Sequence, residues 1–181
     1  MIITFRIVSD EVDNFCREIK IDSTSSFTDL MNAICDSVGY QKDRLSSFYL
    51  CDSNWEREKE ISYEDMGSDP DQDIWLMNET DIGDFVEDKG QKLLYVFDYL
   101  TERAFFMEVC DVEMGKSLRD PLCSLSMGHA PAENMDLDEF DAKIDAKQSA
   151  LDTDMDENFY GDEDYNSDEF DVEGFDEMNM E

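Results

Sequence analysis

Apolar and polar positions alternate most densely over residues 92–112. In the first half, Leu94, Val96 and Asp98 alternate with Leu93, Tyr95, Phe97 and Tyr99. In the second, Phe105, Met107 and Val109 alternate with Phe106, Glu108 and Cys110. A period of two in aromatic and β-branched residues is a strand signature, so this stretch predicts two strands folded onto each other. Leu100-Thr101-Glu102-Arg103 is the connection, although it lacks the glycine or asparagine that a tight primed turn prefers. The first strand is apolar on both faces, which predicts a central place with material packed on each side.

The same period recurs near the start. Ile3, Phe5 and Ile7 alternate with Thr4, Arg6 and Val8, and Phe15, Arg17, Ile19 and Ile21 with Cys16, Glu18 and Lys20. These are two strands of a hairpin, joined across the polar residues 10–14. The period then changes. Phe27, Leu30, Met31, Ile34 and Val38 fall at three- and four-residue spacing, one apolar stripe of a helix. Ser26 as N-cap with Asp29 three residues on approximates a capping box, and Gly39 is the natural stop.

Residues 45–51 read as a third strand around Phe48, Tyr49 and Leu50, and 74–77 as a short fourth. Residues 52–73 read as a charged, turn-rich connection anchored by Trp55, Ile61, Tyr63 and Met66. Residues 80–91 are an acidic connection with a turn of helix around Ile82, Phe85 and Val86. Residues 113–131 read as a loop carrying Leu118, Leu122 and Leu125. The predicted class is α+β: a mixed, mainly antiparallel sheet of about five to six strands with one main helix packed on it.

Charge changes the picture at the C-terminal end. The chain carries 48 acidic against 14 basic residues, a net −34. Residues 133–181 hold twenty carboxylates and two lysines, a net −18, and no period able to bury a core. The composition predicts a folded domain at 1–131 and an acidic tail at 132–181, partly helical over 135–151 and otherwise disordered when free. Such a balance argues against direct nucleic-acid binding through phosphates and against an anionic membrane surface. It favours a basic protein partner. Cys16, Cys35, Cys51, Cys110 and Cys123 form an odd, scattered set without a C-x-x-C pair, and no long apolar run is present, which predicts a reduced cytoplasmic protein.

Candidate chemistry is sparse. His129 is the only histidine, which removes Ser–His, Cys–His and multi-histidine metal chemistry. Cys123 and His129 share one segment and are conceivable metal ligands with Cys51 or Cys110, but the spacing fits no zinc pattern. Structural thiols and a surface histidine account for them more simply. Asp152, Asp154, Asp156 and Glu163 fall at calcium-loop spacing, as do Asp162, Asp164, Asn166 and Glu173. Glu157 stands where the first loop wants glycine, and carboxylates this dense produce such spacings by accident. No metal and no cofactor is assigned. Asp98, in an apolar strand, is the one carboxylate whose setting suggests acid–base work; satisfaction by nearby backbone or by Arg103 is the simpler account. No glycine-rich phosphate loop exists.

Several short runs, none specific alone, together resemble a known family. They are Phe15-Cys16-Arg17-Glu18-Ile19, Phe27-Thr28-Asp29-Leu30 with Ile34, Gly39-Tyr40, Leu45 with Phe48, residues 94–99, Pro121 with Cys123, and Gly128 with Ala130-Pro131. The chain resembles the Ri-plasmid ORF-three-like family, insertion-element passengers that carry a TnpR label, over residues 3–131. It departs from the family's pattern at Cys16, where tryptophan is frequent, and at Leu100-Thr101-Glu102-Arg103, where a Gly-Asp-x-Trp run is expected. The resemblance implies an α+β fold and an association with mobile elements, and no activity. Serine-recombinase chemistry, which the label suggests, needs a nucleophilic serine amid arginines and a basic DNA-binding segment, and the sequence offers neither.

The expected function is a non-catalytic interaction protein whose acidic tail engages a basic protein partner. Phe159, Tyr165, Phe170 and Phe175, spaced singly among carboxylates, are the expected anchors. An enzyme with an unrecognised site in the α+β domain and an acidic DNA mimic are the alternatives.

Overall fold

A computed structural model describes residues 1–65, 67 and 75–134. The first hairpin is β1 (Ile2–Val8) and β2 (Cys16–Asp22), followed by α1 (Phe27–Val38), the one α-helix among the described residues. Then come β3 (Ser47–Cys51), β4 (Arg57–Ser62), β5 (Trp75–Leu76), a 3-10 turn at Ile82–Asp84, β6 (Lys92–Asp98), β7 (Arg103–Glu113) and β8 (Leu122–Met127). The strands form one sheet in the order β5-β4-β3-β6-β7-β1-β2-β8. Every pairing is antiparallel except β4 with β5. The expected α+β class and mainly antiparallel sheet are therefore observed, with β6 and β7 at the centre.

Among the described residues the strand count is eight, not five to six. One added strand, β4, lies inside the stretch read as a charged connection. Its Arg57, Glu58, Lys59 and Glu60 are exposed and only Ile61 and Ser62 are buried, so no alternation announces it. The other, β8, lies inside the presumed loop, with Leu125 alone of its six residues shielded from full exposure. Both are held by backbone pairing to a neighbour, which side-chain periodicity does not report. Met66 and Ile74, two residues of the sequence reading, lie outside the described residues.

The helix begins as its sequence predicts. The Ser26 hydroxyl accepts from the Asp29 N–H at 3.2 Å, and the Asp29 carboxylate accepts from the Ser26 N–H at 3.0 Å. Two more N-terminal donors are met from outside: the Phe27 N–H donates to Thr80 O and the Thr28 N–H to Met77 O, each at 3.1 Å. Orphan amides at a helix start need such acceptors. Gly39 closes the helix at φ 79°, with its N–H on Cys35 O at 2.8 Å. The stripe Phe27, Leu30, Met31, Ile34 and Cys35 is fully buried against Ile3, Phe5, Ile7, Ile19, Phe48, Tyr95, Phe105, Met107 and Val109 of the sheet. Leu94 and Val96 are also buried, so β6 is covered on both faces.

The turn between β6 and β7 solves its missing glycine locally. Asp98 accepts from the Leu100 N–H at 3.0 Å and from the Thr101 hydroxyl at 2.8 Å. Glu102 then takes φ 52°, a left-handed conformation that costs a non-glycine residue free energy. Glu102→Gly should therefore raise stability by about 0.5–1 kcal/mol, read from urea unfolding, despite glycine's greater unfolded-state entropy. A loss of stability would show that the Glu102 side chain matters more than its backbone.

At the far end of β2, Asp22 ties three segments together. Its carboxylate accepts from the Leu118 N–H at 2.9 Å and from the Thr24 N–H and hydroxyl at 3.1 and 3.0 Å. These bonds, led by the one from Leu118, hold the carboxyl below its ordinary range. A depressed folded value means the unfolded chain binds the proton first as pH falls. The contribution is thus complete above the unfolded value of about 4 and is lost as pH falls through the lower folded one. Asp22→Ala should destabilise by about 1–3 kcal/mol at pH 7, and the difference from wild type should be smaller at about pH 3. An equal difference at both pH values would exclude the charged hydrogen bonds as its source.

Candidate functional site

Two buried arginines organise the end of the sheet beside the helix C-terminus. Arg17 sits on the apolar face of β2, 5% exposed, where the alternation otherwise places Phe15, Ile19 and Ile21. Its Nε donates to Ser37 O at 3.2 Å, and its Nη atoms donate to the carbonyls of Cys16, Met127 and Gly128. Since the last helical turn has no basic residue, Arg17 supplies from another element the cation that a helix C-terminus favours. Its guanidinium also lies 4.7 Å from the Phe15 ring centroid.

Arg103 opens β7 on the same side, 6% exposed. It makes two bonds to Glu11, at 2.8 and 2.9 Å, and donates to Ala132 O at 2.7 Å and Glu133 O at 3.2 Å. Phe97 lies beneath it at 5.1 Å. Tyr40 fills the gap between the arginines, tilted against Phe97 and stacked on Phe105, with its hydroxyl on Pro131 O at 2.8 Å. Burial pushes the Tyr40 phenol well above its ordinary value, so it stays a neutral donor. The arrangement clamps residues 128–133 across the end of the sheet. It spends its charged groups on backbone carbonyls and on each other, which is the chemistry of a fastening.

The sheet face away from the helix is different. Register places Ser47, Tyr49, Glu60, Leu94, Val96, Phe106, Val8, Arg6, Cys16 and Glu18 together there. Trp55 reaches over it from the β3–β4 loop with φ 68°, rare for a bulky residue. Its ring meets Phe106 edge-on at 5.1 Å, and Lys92 Nζ lies 4.8 Å from its centroid while donating to Ser53 O. Arg57 lies 4.7 Å from the Tyr49 ring. Ser47 donates to Glu60 at 2.7 Å and hydrogen-bonds the Tyr99 hydroxyl. Burial first, and Glu60 second, raise the Tyr49 phenol. Further along, Arg6 bonds Glu18 at 2.8 Å. This face can offer aromatic and ionic contact; it presents no activated nucleophile.

The candidates from the sequence fall out as follows. Phe159, Tyr165, Phe170 and Phe175, and both calcium-like spacings, lie outside the described residues. Cys51 is on β3 and Cys123 on β8, five strands apart and so about 24 Å at ordinary strand spacing. Among the described residues no three His, Cys, Asp or Glu side chains are placed to hold a metal ion. All five cysteines are free, and burial raises the thiols of Cys16, Cys35, Cys51 and Cys110. Asp98 caps its own turn, while Arg103 pairs with Glu11 instead. No helix among the described residues is long and apolar enough to cross a membrane.

Six of the residues that carried the family resemblance meet in the clamp, Phe15, Arg17, Tyr40, Phe97, Gly128 and Pro131, while others such as Phe27, Phe48 and Cys123 lie elsewhere in the fold. A family model described as plasmid pRiA4b ORF-3-like protein matches residues 3–178. The chain belongs to that family. The match continues past residue 131, where the resemblance in the sequence stopped, into the acidic segment. The fold is also similar to the crystal structure of MM3350 from Methanosarcina mazei Go1, with a TM-score of 0.53 and 16% identity over 69% of this chain and 68% of that one. MM3350 is itself described as a protein of unknown function, so the likeness carries the fold alone. No curated protein matches the sequence.

Proposed function

We propose that this protein acts by binding: its acidic segment, residues 132–181, engages a basic protein partner. The observation that carries the reading is the segregation of charge, with −18 of the chain's −34 on residues 133–181 and aromatic residues interspersed among the carboxylates. Clustered carboxylates attract a basic surface at long range and raise the encounter rate. Charge alone selects poorly, so Phe159, Tyr165, Phe170 and Phe175 are assigned as the anchors, each gaining by docking into an apolar or cationic seat. The mobile-element association of the family makes the basic nucleic-acid-binding proteins of such elements the first partners to try.

The test is capture of partners from the native host with three baits: the full chain, a chain ending at Asn134, and one with those four aromatics changed to serine. Binding should be lost in both variants. It should also fall steeply as salt shortens the screening length from about 14 Å near 50 mM to about 4 Å near 0.5 M. A partner held equally by the shortened chain would move the function to the sheet.

A further inference from the structure

Natural sheets protect their edges with short strands, charges, proline or covering elements. One edge here follows that practice: β5 is two residues long among the described residues. The other does not. β8 is six residues, Leu-Cys-Ser-Leu-Ser-Met, without a charge or a proline, in a chain of which 34% of residues are charged. Leu122 and Met127 are 52% and 51% exposed. The register sets Leu122 beside Lys20, Leu125 beside Glu18 and Met127 beside Cys16, so all three apolar side chains share one face. Ser124 is the extra residue of a bulge, its hydroxyl on Glu18 O at 3.3 Å. The strand is held from behind as well: Arg17 bonds Met127 O and Gly128 O, and Asp22 holds the Leu118 N–H just upstream. It is a firmly seated edge, and no strand among the described residues pairs with its outer side.

We propose that β8 is a strand-addition site for an extended segment of a partner protein in which basic and apolar residues alternate. Backbone groups of β8 would supply the affinity, and Leu122, Leu125 and Met127 the seat for every second side chain. Charge selects the occupant. With the acidic segment set apart, residues 1–132 still carry −16, so a second copy and this chain's own acidic segment are repelled and a basic strand is attracted. The proposal rests on the reading that the partner is basic, and adds where its folded contact falls.

The probe is an acetylated, amidated peptide of four Lys-Val pairs, titrated into the full-length protein. Its control is the same peptide N-methylated at every backbone nitrogen, equal in charge but without amide donors. The protein variant is Leu122→Asp with Met127→Asp; both positions are exposed, and retention of the fold is checked by thermal unfolding. Strand addition predicts about tenfold weaker binding of the methylated peptide. It predicts a similar loss, about tenfold, in the variant, although two negative charges have been added. It also predicts slowed amide exchange confined to residues 122–127. Equal affinity for both peptides, or tighter binding by the variant, overturns strand addition and leaves charge-driven capture standing. No binding of either peptide near 50 mM salt overturns both readings. Self-association of the wild type that the variant abolishes puts a second copy on this edge and overturns the proposed occupant.

Discussion

Glu11→Ala should destabilise the folded unit Met1–Asn134 by about 3 kcal/mol, measured by urea unfolding. The cause lies in what remains. Arg103 is 6% exposed, and Glu11 is its one carboxylate among the described residues. Without Glu11 the guanidinium stays buried with only the Ala132 and Glu133 carbonyls and the Phe97 ring around it. An uncompensated buried charge costs about 3–5 kcal/mol, and the lower figure applies because Glu11 itself is partly exposed. Removing both partners together, as Glu11→Leu with Arg103→Leu, should cost less than the sum of the single changes, since no lone charge is then left. A loss below about 0.5 kcal/mol for Glu11→Ala would mean that water reaches Arg103 and the clamp is decorative.

Phe105→Ala should cost at least as much, about 3–5 kcal/mol. Phe105 is fully buried on β7 and lies at the hub of an aromatic cluster. Ring centroids of Phe97, Phe15 and Tyr40 stand 4.7, 5.2 and 5.9 Å from it. Truncation removes the transfer free energy of the ring and leaves a cavity that the surrounding rings cannot fully close. Val96→Ala, on the opposite face of β6, removes two methyl groups and should cost roughly 1–3 kcal/mol by the same reasoning. If Phe105→Ala fell below about 1 kcal/mol, the cluster would have to be loosely packed, contrary to its geometry.

The parts of this fold that were legible in the sequence are those where one residue's side chain reports its own burial. Ile3, Phe5 and Ile7 declare β1; Phe27, Leu30, Met31 and Ile34 declare α1, with Ser26, Asp29 and Gly39 marking its ends. The strands that escaped notice, β4 and β8, owe their conformation to a neighbouring backbone. Arg57-Glu58-Lys59-Glu60 is an unbroken run of charged, exposed side chains without alternation, although Tyr49 and Leu50 hold that backbone in register. Arg17 shows the converse. A charged residue in an apolar alternation was the one available sign of the clamp, since it faced inward with Phe15 and Ile19 and had to be satisfied there. Glu11 and Arg103, 92 residues apart, gave no such sign, because only the closed sheet brings them together.

Ile2 pairs with Glu113, and Lys20 with Leu122. The first hairpin therefore leaves the ribosome with neither flank available, and waits while about ninety further residues are made, some 5–20 s at ordinary synthesis rates. During that interval Ile3, Phe5, Ile7, Ile19 and Ile21 have only the helix to cover them, and β1 offers an open row of amides to any passing strand. The acidic residues 132–181 follow β7 in the chain and cannot shield them during that interval. The nascent chain should thus be a client for holding chaperones until β7 emerges, whatever the stability of the completed protein.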